Sequence, residues 1–235
     1  DQAINQLSQN FFVAVKPQIY KNYAAHQYDD FIQLIFNSTI ICTVLVSVIS
    51  VPLMVNAEII LGLWLKTVPE YTVLFTQLVL LNSIADSTSN PSICAALATK
   101  KIKVFYLFTG TLIILNLPIS YMLLNSGYGP EYTMYVSIII SCFAILVRAV
   151  ILKKLISLPL NKYFILVLQL CFIIGLIWYL TSMSLLLFKN PWLRVVFSSF
   201  ISTILHVIFC MGILPQYYRK KILSFINSKI NFIRV

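Results

Sequence analysis

Long apolar runs separated by short basic turns make up most of this sequence. Four runs contain no Asp, Glu, Lys or Arg, and two more contain a single ionisable residue, Asp86 or Arg148. Each is long enough for a membrane-spanning helix, which needs roughly 20 mostly apolar residues. The charge-free runs are Phe31–Ala57, Val104–Pro130, Tyr163–Phe188 and Val195–Tyr218, and the other two are Tyr71–Thr99 and Tyr132–Leu152.

The first segment, Asp1–Tyr28, is shorter and more polar, and we predict that it is also helical. None of the runs alternates polar and apolar residues as the strands of a membrane barrel do. The pattern therefore predicts an all-α integral membrane protein, a bundle of about seven transmembrane helices. Asp1 and the residues after it read as the middle of a helix, so we expect a fragment that lacks its N-terminal part.

Amide side chains form a stripe on the first predicted helix. Gln2, Asn5, Gln6 and Gln9 are spaced i, i+3, i+4 and i+7, which places them on one helical face. Amides are costly in hydrocarbon unless they have partners. The stripe is predicted to face a groove or a water-filled cavity and to belong to a substrate pathway. The alternative is an amphipathic helix that is soluble or lies flat on the membrane.

A second polar stripe occupies Tyr71–Thr99, where Asn82, Asp86 and Asn90 repeat every four residues. Pro91 follows them and removes a backbone donor, which weakens a helix. A polar stripe beside a helix break is typical of transporter substrate pathways. We predict that these residues line such a pathway and that Pro91, like Pro17 in the first segment, is a hinge. The alternative is a helix that packs through small residues.

Arg148 is expected about one turn inside the cytoplasmic end of its helix. One hypothesis is that it receives a pyrophosphate, because a guanidinium matches pairs of phosphate oxygens. The other is that its long side chain reaches the headgroup region and anchors the helix. In Val195–Tyr218, a row of small hydroxyl residues predicts close helix packing, with His206 bonded to a neighbouring helix.

Composition excludes a soluble domain. The chain is 60% hydrophobic and only 10% charged, whereas soluble domains carry about 25% charged residues. The five cysteines form no CxxC motif, so they predict neither a disulfide framework nor a metal site.

The net charge of +10 is best explained by membrane topology. When the seven segments alternate sides, fourteen basic residues share one side and three the other, which together account for all 17. Basic loops stay cytoplasmic, so we expect a cytoplasmic C-terminus, contacts with anionic membrane lipids and no binding of nucleic acid. The larger group is Lys16, Lys21, Lys100, Lys101, Lys103, Arg148, Lys153, Lys154, Lys162, Arg219, Lys220, Lys221, Lys229 and Arg234, and the smaller is Lys66, Lys189 and Arg194.

Catalytic motifs are missing from the sequence. It contains no GxxxxGK[ST], no HExxH and no GxSxG. We therefore expect a protein that moves a substrate rather than an enzyme, with no cofactor and no metal.

Three stretches of the sequence are similar to one known family. The third is Asp86-Ser87 and Ser89-Asn90-Pro91, which lead to Ala95-Ala96 and Ala98-Thr99 before a lysine-rich turn, and the first two, in chain order, are Asn5-Gln6-Leu7 through Pro17-Gln18-Ile19-Tyr20-Lys21-Asn22-Tyr23-Ala24, and Ile60-Leu61-Gly62-Leu63-Trp64-Leu65-Lys66 through Val68-Pro69-Glu70-Tyr71. These stretches resemble the C-terminal half of bacterial O-antigen and capsule flippases, which belong to the multidrug, oligosaccharidyl-lipid and polysaccharide exporter superfamily. The resemblance covers about residues 1–155.

The resemblance implies a protein about twice as long, with two six-helix lobes around a central cavity. Residues 1–155 would form most of the second lobe of this MATE-like fold, without its first helix, and the missing N-terminal lobe would be its partner. Residues 156–235 would add two further helices and a basic cytoplasmic tail. The implied substrate is an undecaprenyl-pyrophosphate-linked oligosaccharide, moved across the bacterial inner membrane by alternating access.

Three other functions stay open. A multidrug or cation exporter of the same superfamily would need acidic cavity residues, and Asp86 is the one carboxylate in the predicted spans. An integral-membrane enzyme of polysaccharide assembly would need a cluster of His, Asp, Glu or Arg facing one compartment. A structural membrane subunit is the remaining alternative.

Overall fold

The computed structural model describes residues 2–65, 67–185 and 190–213. This part of the chain is helical and forms eight helices in sequence order. They are α1 (Gln2–Ala24), α2 (Tyr28–Val55), α3 (Ala57–Trp64), α4 (Thr72–Ala98), α5 (Ile102–Asn125), α6 (Tyr132–Ile156), α7 (Leu160–Ser184) and α8 (Pro191–Ile213).

Five of these helices are long and apolar enough to cross a membrane, namely α2, α5, α6, α7 and α8. This is the property expected of an all-α membrane protein that crosses the bilayer several times. Helices α1 and α4 are as long, with 23 and 27 residues, but they are more polar.

The connection between α2 and α4 contains a short helix that the sequence did not predict. The run Phe31–Ala57 does not continue as one helix, because α2 ends at Val55 and α3 begins at Ala57. The Asn56 side-chain amide donates to the Pro52 carbonyl over 2.8 Å, and the Asn56 backbone N–H donates to the same carbonyl over 3.1 Å at the end of α2. Trp64, at the end of α3, is 80% exposed, as aromatic residues at a membrane interface are.

Helix α2 is the centre of the bundle and packs against α1, α4, α7 and α8. Its buried residues include small hydroxyl side chains, which let neighbouring helices approach closely. The Thr43 hydroxyl on α2 lies 3.2 Å from that of Thr88 on α4. At the C-terminal end of α2, the Asn56 amide donates to Ser198 on α8 over 2.8 Å. The last two helices are therefore packed onto the same core as the first ones.

His206 differs from its prediction. Its Nδ1 lies 2.8 Å from the Ser202 carbonyl of its own helix, and its Nε2 is buried without a partner among the described residues. The expected bond to a neighbouring helix is therefore not present. The reason is geometric, because a side chain four residues along a helix reaches its own carbonyl.

Helices α5 and α6 form a hairpin that closes around Gly127. The backbone there has φ of 86°, which glycine adopts without steric cost. Tyr128 N–H donates to the Leu123 carbonyl, and Gly127 N–H donates to Leu124, as in a Schellman ending. The turn sets α6 antiparallel to α5, which brings the start of α5 beside the end of α6.

We expect Thr88→Leu to destabilise the bundle. Thr88 is only 5% exposed and faces Thr43 across the α2–α4 contact, so a larger side chain must push the two helices apart. Overpacking of this kind costs about 1–3 kcal/mol. The measurement is thermal unfolding in detergent. The matched control is Thr111→Leu, at an exposed position on α5, and an equal loss of stability in both variants would contradict the packing described for α2 and α4.

Candidate functional site

A polar cavity of about 240 Å³ lies between α4, α5 and α6. Two of these helices, α5 and α6, are among the five that are long and apolar enough to cross a membrane, whereas α4 is more polar. Its polar lining comes from all three helices, which contribute two carboxamides, one carboxylate, two hydroxyls and one guanidinium. These residues are Asn82, Asp86, Asn116, Ser137, Ser141 and Arg148.

Helix α4 contributes a pair of polar residues one turn apart. The Asn82 amide donates to Asp86 Oδ2 over 3.1 Å, and both side chains are half-buried. The Ser141 hydroxyl of α6 also interacts with the Asp86 carboxylate. Asp86 therefore has a hydrogen-bond donor one turn away on its own helix and a second one on α6. The carboxylate is held in position at the wall of the cavity rather than directed into the packing between helices.

Helix α6 presents its polar residues on one face. Ser137, Ser141, Ala144 and Arg148 follow the spacing i, i+4, i+7 and i+11, and all four line the cavity. Arg148 is only 9% exposed. Its Nε has no hydrogen-bond partner in the part of the chain that the structure describes. The guanidinium therefore retains an unused donor beside the cavity.

Asp86 and Arg148 place opposite charges on the same cavity. Each interacts electrostatically with the other across the space between α4 and α6. In a low-dielectric surrounding this attraction is much stronger than in water. The sequence singled out both residues but did not pair them. The structure places both residues on the lining of one cavity, Asp86 on α4 and Arg148 on α6.

Helix α5 contributes a short hydrogen-bonded series that the sequence analysis missed. The Asn116 amide donates to Ser137 Oγ over 2.8 Å, and Ser120 donates to Asn116 Oδ1 over 2.9 Å. Ser137 in turn donates to the Thr133 carbonyl over 3.1 Å. One available signal was Asn116 itself, an amide in the middle of a charge-free run. Another was the regular spacing of Ser137, Ser141 and Arg148.

The third member of the α4 stripe does not reach the cavity. The Asn90 amide donates to Ser8 Oγ on α1 over 3.4 Å. Successive helical residues turn by 100°, so each step of four residues advances about 40° beyond a full turn. After two steps Asn90 lies about 80° away from Asn82. Asn82 and Asp86 therefore face the α5–α6 hairpin, whereas Asn90 contacts α1.

The described part of the α1 amide stripe, Gln6 and Gln9, does not line this cavity. Gln6 is exposed and donates to Asn10 over 3.2 Å on its own helix, and Gln9 is also exposed. The side chains of Gln2 and Asn5 lie outside the described residues. The role of Asn5, Gln6 and Gln9 in a substrate pathway stays a prediction.

The predicted hinges lie within continuous helices. Helix α1 passes through Pro17, and α4 passes through Pro91 and ends at Ala98. The break expected beside the α4 stripe is therefore not present. A proline removes one backbone donor, but neighbouring helices can compensate for the freed carbonyl in a membrane bundle. The hinge role of either residue stays a prediction.

Arg148 is deeper than expected. Helix α6 ends at Ile156, eight residues beyond Arg148, which is about two turns rather than one. Its side chain is buried against the polar cavity. An anchoring arginine would be extended to the helix end. The location thus differs from the one that the anchoring hypothesis assumes, because the helix continues through Lys153 and Lys154 to Ile156, beyond the predicted end at Leu152.

No group of three or more His, Cys, Asp or Glu residues that could hold a metal ion occurs within residues 2–65, 67–185 and 190–213. The chemistry that the cavity offers is that of one carboxylate, one guanidinium and neutral hydrogen-bonding groups. Such a set binds and orients a charged polar group.

Comparison with known proteins gives no relative: no family model, no curated protein and no solved structure matches the chain.

Proposed function

We propose that the protein is a flippase that moves an undecaprenyl-pyrophosphate-linked oligosaccharide across the bacterial inner membrane by alternating access. The observation that supports this most is the polar cavity between α4, α5 and α6, which contains Asp86 and Arg148. The substrate class comes from the resemblance of residues 1–155 to O-antigen and capsule flippases, and the residues in the cavity are compatible with it.

Ionisable residues at membrane depth are costly and usually mark a pathway for substrate, ions or protons. A structural subunit would have little reason to keep a carboxylate and a guanidinium on the wall of a cavity. An enzyme of polysaccharide assembly would need a cluster of His, Asp, Glu or Arg, whereas the cavity combines one carboxylate and one guanidinium with neutral groups. Transport is therefore the function that best fits this arrangement.

The guanidinium favours an anionic substrate. Arg148 has an unused Nε donor beside the cavity, and a guanidinium can bind two phosphate oxygens at once. In the proposed cycle, Asp86 balances the charge of Arg148 while the cavity is empty. An entering pyrophosphate then takes over part of that interaction, so that neither state leaves a buried cation without a counter-charge.

The same proposal includes a two-lobed, MATE-like architecture in which α1 and α4 also cross the membrane. If all seven long helices cross the membrane, the loops that are rich in Lys and Arg lie on one side of it. Arg148 lies within the cavity, so 13 of the 14 basic residues on the larger side remain for the cytoplasmic surface, against three on the other side.

Labelling of single cysteines tests this topology. In a background without the five native cysteines, Gly129→Cys is expected to react with an impermeant maleimide in intact cells. Asn161→Cys, between Lys153 and Lys162, is expected to react only after permeabilisation. The reverse pattern would reject the orientation. The tail after Pro215, also predicted to be cytoplasmic, lies outside the described residues.

Deletion of the gene in its own bacterium tests the function. The expected result is accumulation of a lipid-linked oligosaccharide at the cytoplasmic face and loss of the surface polysaccharide, both restored by the full-length gene. Unchanged polysaccharide together with increased sensitivity to cationic drugs would instead favour the second candidate, a multidrug or cation exporter. This second candidate is retained because Asp86 places a carboxylate at the cavity wall, as a cation exporter requires.

A further inference from the structure

A second depression lies along α5 and α6, towards the start of α5 and the end of α6. It has a volume of about 550 Å³, within the range of sites that bind small organic ligands. Its walls are apolar and include Phe108 of α5 together with Phe143 and Leu146 of α6. Unlike the polar cavity, it contains no carboxylate, amide or hydroxyl side chain among its lining residues.

The depression is an open groove rather than an enclosed pocket. Phe108 is 54% exposed and Phe143 is 52% exposed, although both line it. Leu146 and Val150 are exposed as well. Apolar side chains that face outward from a membrane helix contact the acyl chains of lipids. The groove is therefore open to the hydrocarbon of the bilayer.

Positive charge is confined to one end of the groove. Lys101 immediately precedes α5, and Lys154 lies in the last turn of α6. Because the two helices are antiparallel, both lysines line the same end, and both are exposed. The residues at the opposite end of the hairpin include Tyr128 and Glu131 and no basic residue. An anionic headgroup complements the lysine end.

The length of the groove matches one leaflet of a bilayer. Phe143 and Lys154 are eleven residues apart on α6, which corresponds to about 16 Å along a helix. The hydrocarbon core of a bilayer is about 30 Å thick, so the groove covers about half of it. An acyl chain with its headgroup at the lysines fits this length, whereas a long polyprenyl chain would extend well beyond it.

We infer that the groove between α5 and α6 binds an anionic phospholipid of the cytoplasmic leaflet, with its phosphate at Lys101 and Lys154. The two lysines bind the phosphate of the headgroup. The apolar walls, which are about as long as one leaflet, bind an acyl chain. The bound phospholipid is a fixed component of the protein's surface and is distinct from any transported substrate.

Photocrosslinking in vesicles tests the inference without measuring transport. The photoreactive residue p-benzoylphenylalanine replaces Leu146 in the full-length protein, in vesicles of equal phosphatidylglycerol and phosphatidylcholine with identical acyl chains. We expect crosslinks to phosphatidylglycerol to exceed those to phosphatidylcholine by about tenfold to thirtyfold, because each of the two lysines near the phosphate contributes a preference of about fivefold. The combined Lys101→Gln and Lys154→Gln variant should return the ratio to nearly one.

Two controls accompany this experiment. Lys162→Gln removes a lysine near the same predicted membrane surface that does not line the groove, and it should leave the lipid ratio unchanged. The photoreactive residue at Phe172, which is 72% exposed on α7, should report the bulk ratio of the two lipids. Equal crosslinking of the two lipids at position 146 would overturn the inference. Crosslinks mainly to a second copy of the chain or to the lipid-linked sugar would also overturn it. None of these outcomes depends on whether the protein is a flippase.

Discussion

Arg148→Ala is expected to reduce export of the lipid-linked sugar by about a hundredfold or more, with an unchanged amount of protein in the membrane. A hydrogen bond to a charged group contributes about 1.5–3 kcal/mol, and the proposed phosphate contact involves two of them. Alanine removes both, together with the positive charge on the cavity wall. The measurement is surface polysaccharide in a strain whose only copy of the gene carries the variant.

Arg148→Lys distinguishes a role that needs the paired donors of the guanidinium from a role that needs only a positive charge. Lysine keeps the charge but offers a point donor instead of a planar fork, so we expect a reduction of about tenfold, corresponding to one lost charged hydrogen bond. Lysine also reaches the headgroup region as well as arginine does. Full export by the lysine variant would therefore end the phosphate-binding role and leave Arg148 as an anchoring residue.

Asp86→Ala is expected to lower export by about tenfold while the protein stays in the membrane. The substitution removes the charge that opposes Arg148 and leaves the Asn82 amide without its acceptor. Arg148 then lacks its counter-charge whenever no substrate is bound. A buried charge without a partner is unfavourable by several kcal/mol, and the side chain is expected to turn away from the cavity. Wild-type export by this variant would remove Asp86 from the mechanism.

Two further variants make the Asp86 prediction sharper. Asn90→Ala is a matched control on the same helix, because Asn90 contacts α1 and not the cavity. It should leave export nearly unchanged. The double variant Asp86→Asn with Arg148→Gln should export no worse than Arg148→Gln alone, since residues that interact are not additive. Additive losses would show that the two charges act independently.

The positions of the long helices could be predicted well because each apolar run has a clear length. The run Tyr71–Thr99 corresponds to α4, Thr72–Ala98, and Tyr132–Leu152 corresponds to most of α6. Breaks in backbone geometry were predicted less well. The apolar pattern continues through Asn56, although α2 ends there and α3 begins. Hydropathy reports the environment of a side chain, and it does not report where a backbone changes direction within one environment.

The candidate site could be predicted only in part, for a related reason. A periodic pattern shows which residues share a face of one helix, and it identified Asn82 and Asp86, while Arg148 was identified as the single charge in an apolar run. It does not show which face of another helix lies opposite. The packing of the helices against one another brings Asp86, Arg148 and Asn116 of α5 to one cavity. The same packing places Asn90 against α1.

Movement of a labelled polyprenyl-pyrophosphate oligosaccharide across reconstituted vesicles tests the central proposal most directly. The full-length protein and its Arg148→Ala variant are reconstituted at equal density, with protein-free vesicles as the baseline, and the label that becomes accessible on the opposite face is followed over time. We predict transfer by the wild-type protein and a rate near the baseline for the variant. Equal rates for the two proteins, or no transfer above the baseline by either, would contradict the proposal that this cavity carries the sugar lipid.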